Sequence, residues 1–288
     1  MLKKRIIANL VVKNGVVVQS IGFRKYLPVG KPEIAIEFLN QWGIDEIILT
    51  DISASALRRG PDFNMIRNAT KKCFVPLTIG GGITHVDYIK ELMHCGADKI
   101  VLNQAALYQT NLITEAAHVF GNQCVVISID GIATDNGYRV YDYLNKKATD
   151  YEPGSFAHAN QQAGAGEILI NSVDRDGSYL GYDLALINDV CSKVNIPVIA
   201  CGGAKNANDM IEVLTVTNAS AAAAGNFFHF TEHSVNITKA RLKKELDVRI
   251  ETHADYAESL LDGNIRILKK EDELLELMMY VNIEKEII

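Results

Sequence analysis

A closed (βα)8 barrel, a TIM barrel with two-fold half-barrel duplication, is the fold class that this 288-residue sequence predicts. Three observations predict it. Short β-rich apolar runs alternate with amphipathic stretches of helical period, the pattern of a parallel sheet flanked by helices. The length suits one large barrel, although two ordinary domains would also fit. The chain also repeats itself: VPLTIGGG at 75–82 returns as IPVIACGG at 196–203, and EIIL at 46–49 returns as EILI at 167–170, both 121 positions later. Two matches at one offset point to two halves of four βα units each. A doubly wound open sheet is the structural alternative, and it does not predict that symmetry.

The elements follow in order. The apolar run at 5–12 is the first strand, and helical periodicity follows at 32–42. Strand 46–51 then precedes helix 62–71, strand 75–79 helix 86–95, and strand 99–103 helix 111–120. The second half repeats the alternation with strands at 124–130, 167–172, 197–201 and 219–224. Its helices fall at 155–163, 184–194, 207–214 and 232–246. Eight units are then complete, so residues 1–250 form the barrel and 251–288 a C-terminal helical appendage. The appendage is charged, with short amphipathic stretches at 256–261 and 271–280. It reads either as a helical cap on one barrel face or as a docking element for a partner.

Hydrophobic residues make up 48% and charged residues 22%, close to a soluble globular average, which excludes disorder, collagen and coiled coil. No apolar run is long enough for a bilayer, and the N-terminal stretch is too short for a signal peptide. The net charge of −6 argues against bulk nucleic-acid binding. The five cysteines are scattered without CxxC spacing, which suggests buried thiols in a reducing cytoplasm. No metal site and no cofactor are expected.

Glycines mark possible phosphate sites. Gly80-Gly81-Gly82 follows the third strand and Gly202-Gly203 the seventh, each before a helix. Backbone N–H groups in such a turn bind anions without basic side chains. Gly82 with Asn103, Gln104 and Ala105 makes one cradle; Asp176, Gly177, Gly202, Gly203 and Gly225 make the other. Two cradles imply a small molecule phosphorylated at both ends. The plainer reading is that the glycines serve tight turns. Carboxylates at strand C-termini, where barrel active sites lie, are Asp51, Asp130, Asp174 and Asp176. Asp130 ends an apolar strand, which suits a general acid or base. Its symmetry mate falls near residue 11, and that residue is Val11.

The opposite strand ends carry Arg5, Glu46, Lys99 and Glu167. Parity places Glu46 with Thr50, Lys99 with Asn103 and Glu167 with Asn171 on one face each. The four charges are either ordinary solvated strand ends or a ring of salt bridges across the barrel floor, which needs full pairing to survive burial.

These residues together resemble the cyclase subunit of imidazole glycerol phosphate synthase, from residue 1 to about 250. The resemblance rests on Lys4-Arg5-Ile6-Ile7, Asp51-Ile52-Ser53-Ala54-Ser55, Gly80-Gly81-Gly82-Ile83, Gly96-Ala97-Asp98-Lys99, Gly164-Ala165-Gly166-Glu167 and Asp174-Arg175-Asp176-Gly177. It implies a glutaminase docked on the barrel bottom, an ammonia gate formed by Arg5, Glu46, Lys99 and Glu167, and Asp98 as a glutaminase contact. It also implies the two phosphate cradles and a catalytic Asp130. The departures lie at the mouth: the family's first catalytic aspartate is Val11, a loop lysine is Gln19, and cradle hydroxyls are Gln104 and Gly225. This combination looks like the glycosyl-amidation-associated branch of surface-polysaccharide clusters, which feeds ammonia to a separate N-acetyl sugar amidotransferase. The true cyclase of histidine biosynthesis and a non-catalytic scaffold are the alternatives.

Overall fold

The computed structural model describes residues 3–229 and 234–249, with Leu260, Gly263, Leu268 and Glu271 as isolated positions beyond. Apart from those four, the expected appendage lies outside the described residues. The first half contains β1 (Arg5–Lys13), β2 (Val16–Ile21), β3 (Lys25–Gly30), α1 (Pro32–Gln41), β4 (Glu46–Asp51), α2 (Ile52–Ala56) and α3 (Phe63–Thr70). It continues with β5 (Leu77–Gly80), α4 (Val86–His94), β6 (Lys99–Leu102), α5 (Gln104–Tyr108) and α6 (Thr110–Phe120). The second half contains β7 (Val125–Thr134), β8 (Gly137–Asp142), β9 (Lys147–Ala148), α7 (Pro153–Ala163), β10 (Glu167–Ser172) and α8 (Leu184–Lys193). It ends with β11 (Val198–Cys201), α9 (Ala207–Val216), β12 (Ala221–Ala224), α10 (Asn226–His229) and α11 (Ser234–Leu242).

Parallel pairing runs β1–β4–β5–β6–β7–β10–β11–β12 and returns from β12 to β1, so the sheet closes. This is the expected eight-stranded (βα)8 barrel. The helices around it start where local chemistry permits. Pro32 occupies the first turn of α1, where its missing N–H costs nothing. Asp62 caps α3 by accepting from Met65 N at 3.0 Å, and Asn206 with Asp209 forms a capping box on α9. One apolar layer joins strands to helices. A second, including Ile7, Ile48, Val101, Val126, Leu169 and Ile199, fills the barrel itself.

Boundaries moved where proline intervenes. β5 and β11 begin at Leu77 and Val198, each just after a proline that has no N–H to give the ladder. Two antiparallel hairpins were not expected: β2–β3 extends β1, and β8–β9 extends β7. They occupy equivalent places in the two halves.

Candidate functional site

The floor is built by strand parity. Arg5 Nη1 lies 2.7 Å from Glu46 Oε2, and its other terminal nitrogen pairs with Glu167 Oε1. Lys99 Nζ lies 2.8 Å from Glu46 Oε1 and 2.9 Å from Glu167 Oε2. Every carboxylate oxygen therefore meets a cation, and Thr78 Oγ1 adds a bond of 3.2 Å to Glu46. The four charges close a ring around the barrel axis. Burial works against the charge on Arg5 and on Lys99, but Glu167 and Glu46 outweigh it and hold both above their ordinary values. Asp98 stands exposed beside the ring, its Oδ2 accepting from Leu77 N at 2.8 Å.

The other end opens into a cavity of about 150 Å³. Register settles which residue faces Asp130. Val11 pairs with Thr50, and Asp130 pairs with Asn171. Thr50 and Asn171 are equivalent in the repeat, so Val11 occupies the position equivalent to Asp130. The strict offset would select Asn9 instead; β1 and β7 differ from it by two residues, which preserves parity.

Asp130 is buried. Burial pushes its carboxyl up to about 7, while amide donors from Asn103 at 2.9 Å and Asn171 at 3.5 Å pull it down and Asp176 pushes it up. A raised folded value costs stability as pH climbs from the usual carboxylate range toward 7, because the unfolded chain ionises first. Asp130→Asn is thus expected to stabilise the protein by about 2–4 kcal/mol more at pH 8 than at pH 4. Paired thermal melts at the two pH values check this, and equal shifts would place Asp130 in a more solvated setting.

The other acidic candidates divide. Asp51 lines the cavity, but its oxygens cap α2 through Ser53 N at 2.8 Å and pair with Arg59 at 2.5 Å. Asp176 also lines it and holds the β2–β3 hairpin, accepting from Ser20 Oγ at 2.6 Å and Phe23 N at 3.2 Å. Asp174 corrects an expectation: it is exposed, lies outside the cavity lining, and accepts from Ala133 N at 2.8 Å.

Gly82, Asn103 and Gln104 line one side of the cavity; Gly177, Gly202, Gly203 and Gly225 line another. Gly82 and Gly203 have φ of 72° and 99°, so the tight-turn requirement alone accounts for them. A Cβ on Gly203 would run into the Gly181 carbonyl. Gly203→Ala is expected to lower stability by more than about 1 kcal/mol, measurable by urea denaturation. Among the described residues, the lining carries Asp51, Asp130 and Asp176 but no lysine, arginine or histidine.

The hairpins were missed by sequence reading, yet they complete the mouth. Ser20 exchanges bonds with the Asn226 side chain at 3.2 and 2.6 Å, and Gln19 donates to Tyr179 Oη at 3.2 Å. Asp142, at the end of β8, accepts from Tyr108 Oη at 2.5 Å and Gln104 Nε2 at 3.4 Å. Each hairpin therefore straps onto the opposite half: the first onto Tyr179 and α10, the second onto α5.

The family described as histidine biosynthesis protein matches residues 5–234. The chain is 42% identical over 263 residues to the putative imidazole glycerol phosphate synthase subunit hisF2 of Vibrio vulnificus, covering 91% of this chain and 97% of that relative. It is 41% identical over 247 residues to imidazole glycerol phosphate synthase subunit HisF of Clostridium botulinum, covering 85% and 98%. The HisF subunit of Streptococcus mutans is 39% identical over 251 residues, covering 86% and 100%. No helix among the described residues is long and apolar enough to cross a membrane.

Proposed function

The chain belongs to the histidine biosynthesis protein family, and on that premise we propose that it is an ammonia-receiving barrel subunit of a glutamine-dependent complex. A glutaminase docks on the floor beside Asp98, and ammonia enters through Arg5, Glu46, Lys99 and Glu167. The observation that carries this reading is the fully paired ring beneath an apolar barrel interior. An apolar interior admits neutral ammonia and disfavours ammonium, whose desolvation costs several kcal/mol, on the order of any buried ion. Displacing Lys99 or Arg5 opens the ring while leaving each glutamate one cation. Ammonia then emerges beside Asp130.

Two acceptors are consistent with the mouth. The relatives' names favour cyclisation of a phosphoribulosyl imidazole-carboxamide ribotide, as in imidazole glycerol phosphate synthase. Val11 opposite Asp130, and no basic side chain among the described lining residues, count against that cyclisation; the second acceptor is a separate N-acetyl sugar amidotransferase to which the ammonia is released. A substrate with two phosphates would rest on glycine backbones and neutral side chains such as Asn103 and Gln104, without a cation among the described lining residues. We read the acceptor as the second, with the synthase reaction as the alternative.

The test is reconstitution with the cognate glutaminase. Co-elution and stimulated glutamine hydrolysis are expected. If neither occurs at micromolar concentrations, the conduit reading is lost. Crystals grown with millimolar phosphate should show density near Gly177 and Gly203 if any phosphorylated ligand binds; density at neither cradle counts against one.

A further inference from the structure

We propose that Asp142 is a positioning residue for Asp130, acting through Gln104 and Asn103. Asp142 is fully buried and, among the described residues, pairs with no cation. Its oxygens accept from Tyr108 Oη at 2.5 Å, Asn145 Nδ2 at 2.5 Å, Leu144 N at 3.0 Å, Asn145 N at 3.2 Å and Gln104 Nε2 at 3.4 Å. Burial works against its charge, but these donors outweigh it and keep the carboxyl below its ordinary value. It remains a carboxylate, which only accepts.

That one-way character orients Gln104, which together with the Ser128 carbonyl orients Asn103. An amide side chain has two nearly isosteric orientations, chosen by its partners. Asp142 accepts only the NH2 end of Gln104. The same Nε2 donates to Asn103 Oδ1 at 3.2 Å. With its oxygen so engaged, Asn103 turns Nδ2 toward Asp130 Oδ2 at 2.9 Å and the Ser128 carbonyl at 3.1 Å. Both amide hydrogens of Gln104 and of Asn103 thus have acceptors. Reversed, Asn103 would point its carbonyl oxygen at Asp130 and repel the ionised form.

Asp142 has a second, local job, since its bonds to Leu144 N and Asn145 N close the turn after β8. The experiment must separate the two. Gln104→Met leaves that turn alone and removes the relay; Asp142→Ala removes both. The titratable group acting on Asp130 is Asp176 after β10, while the Asp130 charge in turn acts on Tyr26 on β3, Tyr143 after β8 and Cys201 on β11. None of them belongs to the relay.

The readout is the ¹³C carboxyl titration of Asp130 in substrate-free protein, assigned with Asp130→Asn. The significance of the relay rests on Asp130 as the acid–base group of the proposed mouth, but this titration needs no substrate or partner, so the two ideas fail separately. The wild-type midpoint is expected near 7, and both variants should raise it by about one unit, because weakening a hydrogen bond to the charged form disfavours ionisation. A purely structural Asp142 would lower the melting temperature and leave the midpoint unmoved in Gln104→Met, which overturns the proposal. If Asp142→Ala does not fold, Gln104→Met decides alone.

Discussion

Ammonia-dependent turnover of the bisphosphate ribotide by the wild-type protein is expected to fall about 10²–10⁴-fold below a cyclase with a carboxylate in each half of the barrel, the usual worth of one positioned acid–base group. The deficit follows from register. Val11 holds the position equivalent to Asp130, beside Thr50 as Asp130 is beside Asn171, and a valine moves no protons. Asp51 and Asp176 line the same cavity but are engaged, one by Arg59 and its helix cap, the other by Ser20 and the hairpin backbone. Steady-state assays with saturating ammonium, on wild type and Val11→Asp, measure the effect. Turnover by wild type at an ordinary cyclase rate would sink the ammonia-release reading and promote the synthase alternative. Val11→Asp should recover only part of the rate, because Gln19, tied to Tyr179, and Gly225 also lack the cationic and hydroxyl groups of the family pattern.

What the sequence disclosed follows from which interactions are periodic. Barrel strands are buried on both faces, so β4, β7 and β10 stand out as apolar runs, and the repeat marks their symmetry. Parity puts Glu46, Lys99 and Glu167 on the faces of Thr50, Asn103 and Asn171 but leaves solvated ends and a ring equally open, and only the family resemblance implied the ring. The mouth was less legible. Ser20 bonds Asn226 from 206 positions away, and Ser20 bonds Asp176 from 156; no local pattern encodes such contacts. β3 is largely exposed and β9 has two residues, so neither offered a clear strand signature. Asp174 misled because proximity to a strand end places a residue at the mouth without aiming its side chain into it. The relay through Gln104 was hidden for the same reason: Asp142 lies 38 positions away on an element the periodicity did not reveal.

Glu167→Gln is expected to destabilise the protein by about 3–5 kcal/mol, the usual result of removing one partner from a buried ionic network. For a domain of this size that is a fall in Tm of roughly 6–20 °C. The variant keeps the shape of the side chain but leaves Arg5 and Lys99 sharing Glu46. The pH dependence has a definite sign. The folded pKa of Lys99 lies above its ordinary 10.5 despite burial, because Glu167 and Glu46 hold the charge. Stabilisation from a raised lysine is complete below the unfolded value and is lost as pH rises through the folded one. The gap between wild type and Glu167→Gln should therefore be flat from about pH 7 to 9 and narrow only above about 10.5. Replacing Arg5, Glu46, Lys99 and Glu167 together with apolar residues should behave differently, leaving stability unchanged or raised by about 1–4 kcal/mol, since a well-packed core outcompetes buried charge. Glutamine-driven ammonia delivery should nevertheless collapse in that fourfold variant while free ammonium still serves the acceptor. A stable fourfold variant with intact glutamine-driven delivery would mean that the ring does not gate ammonia.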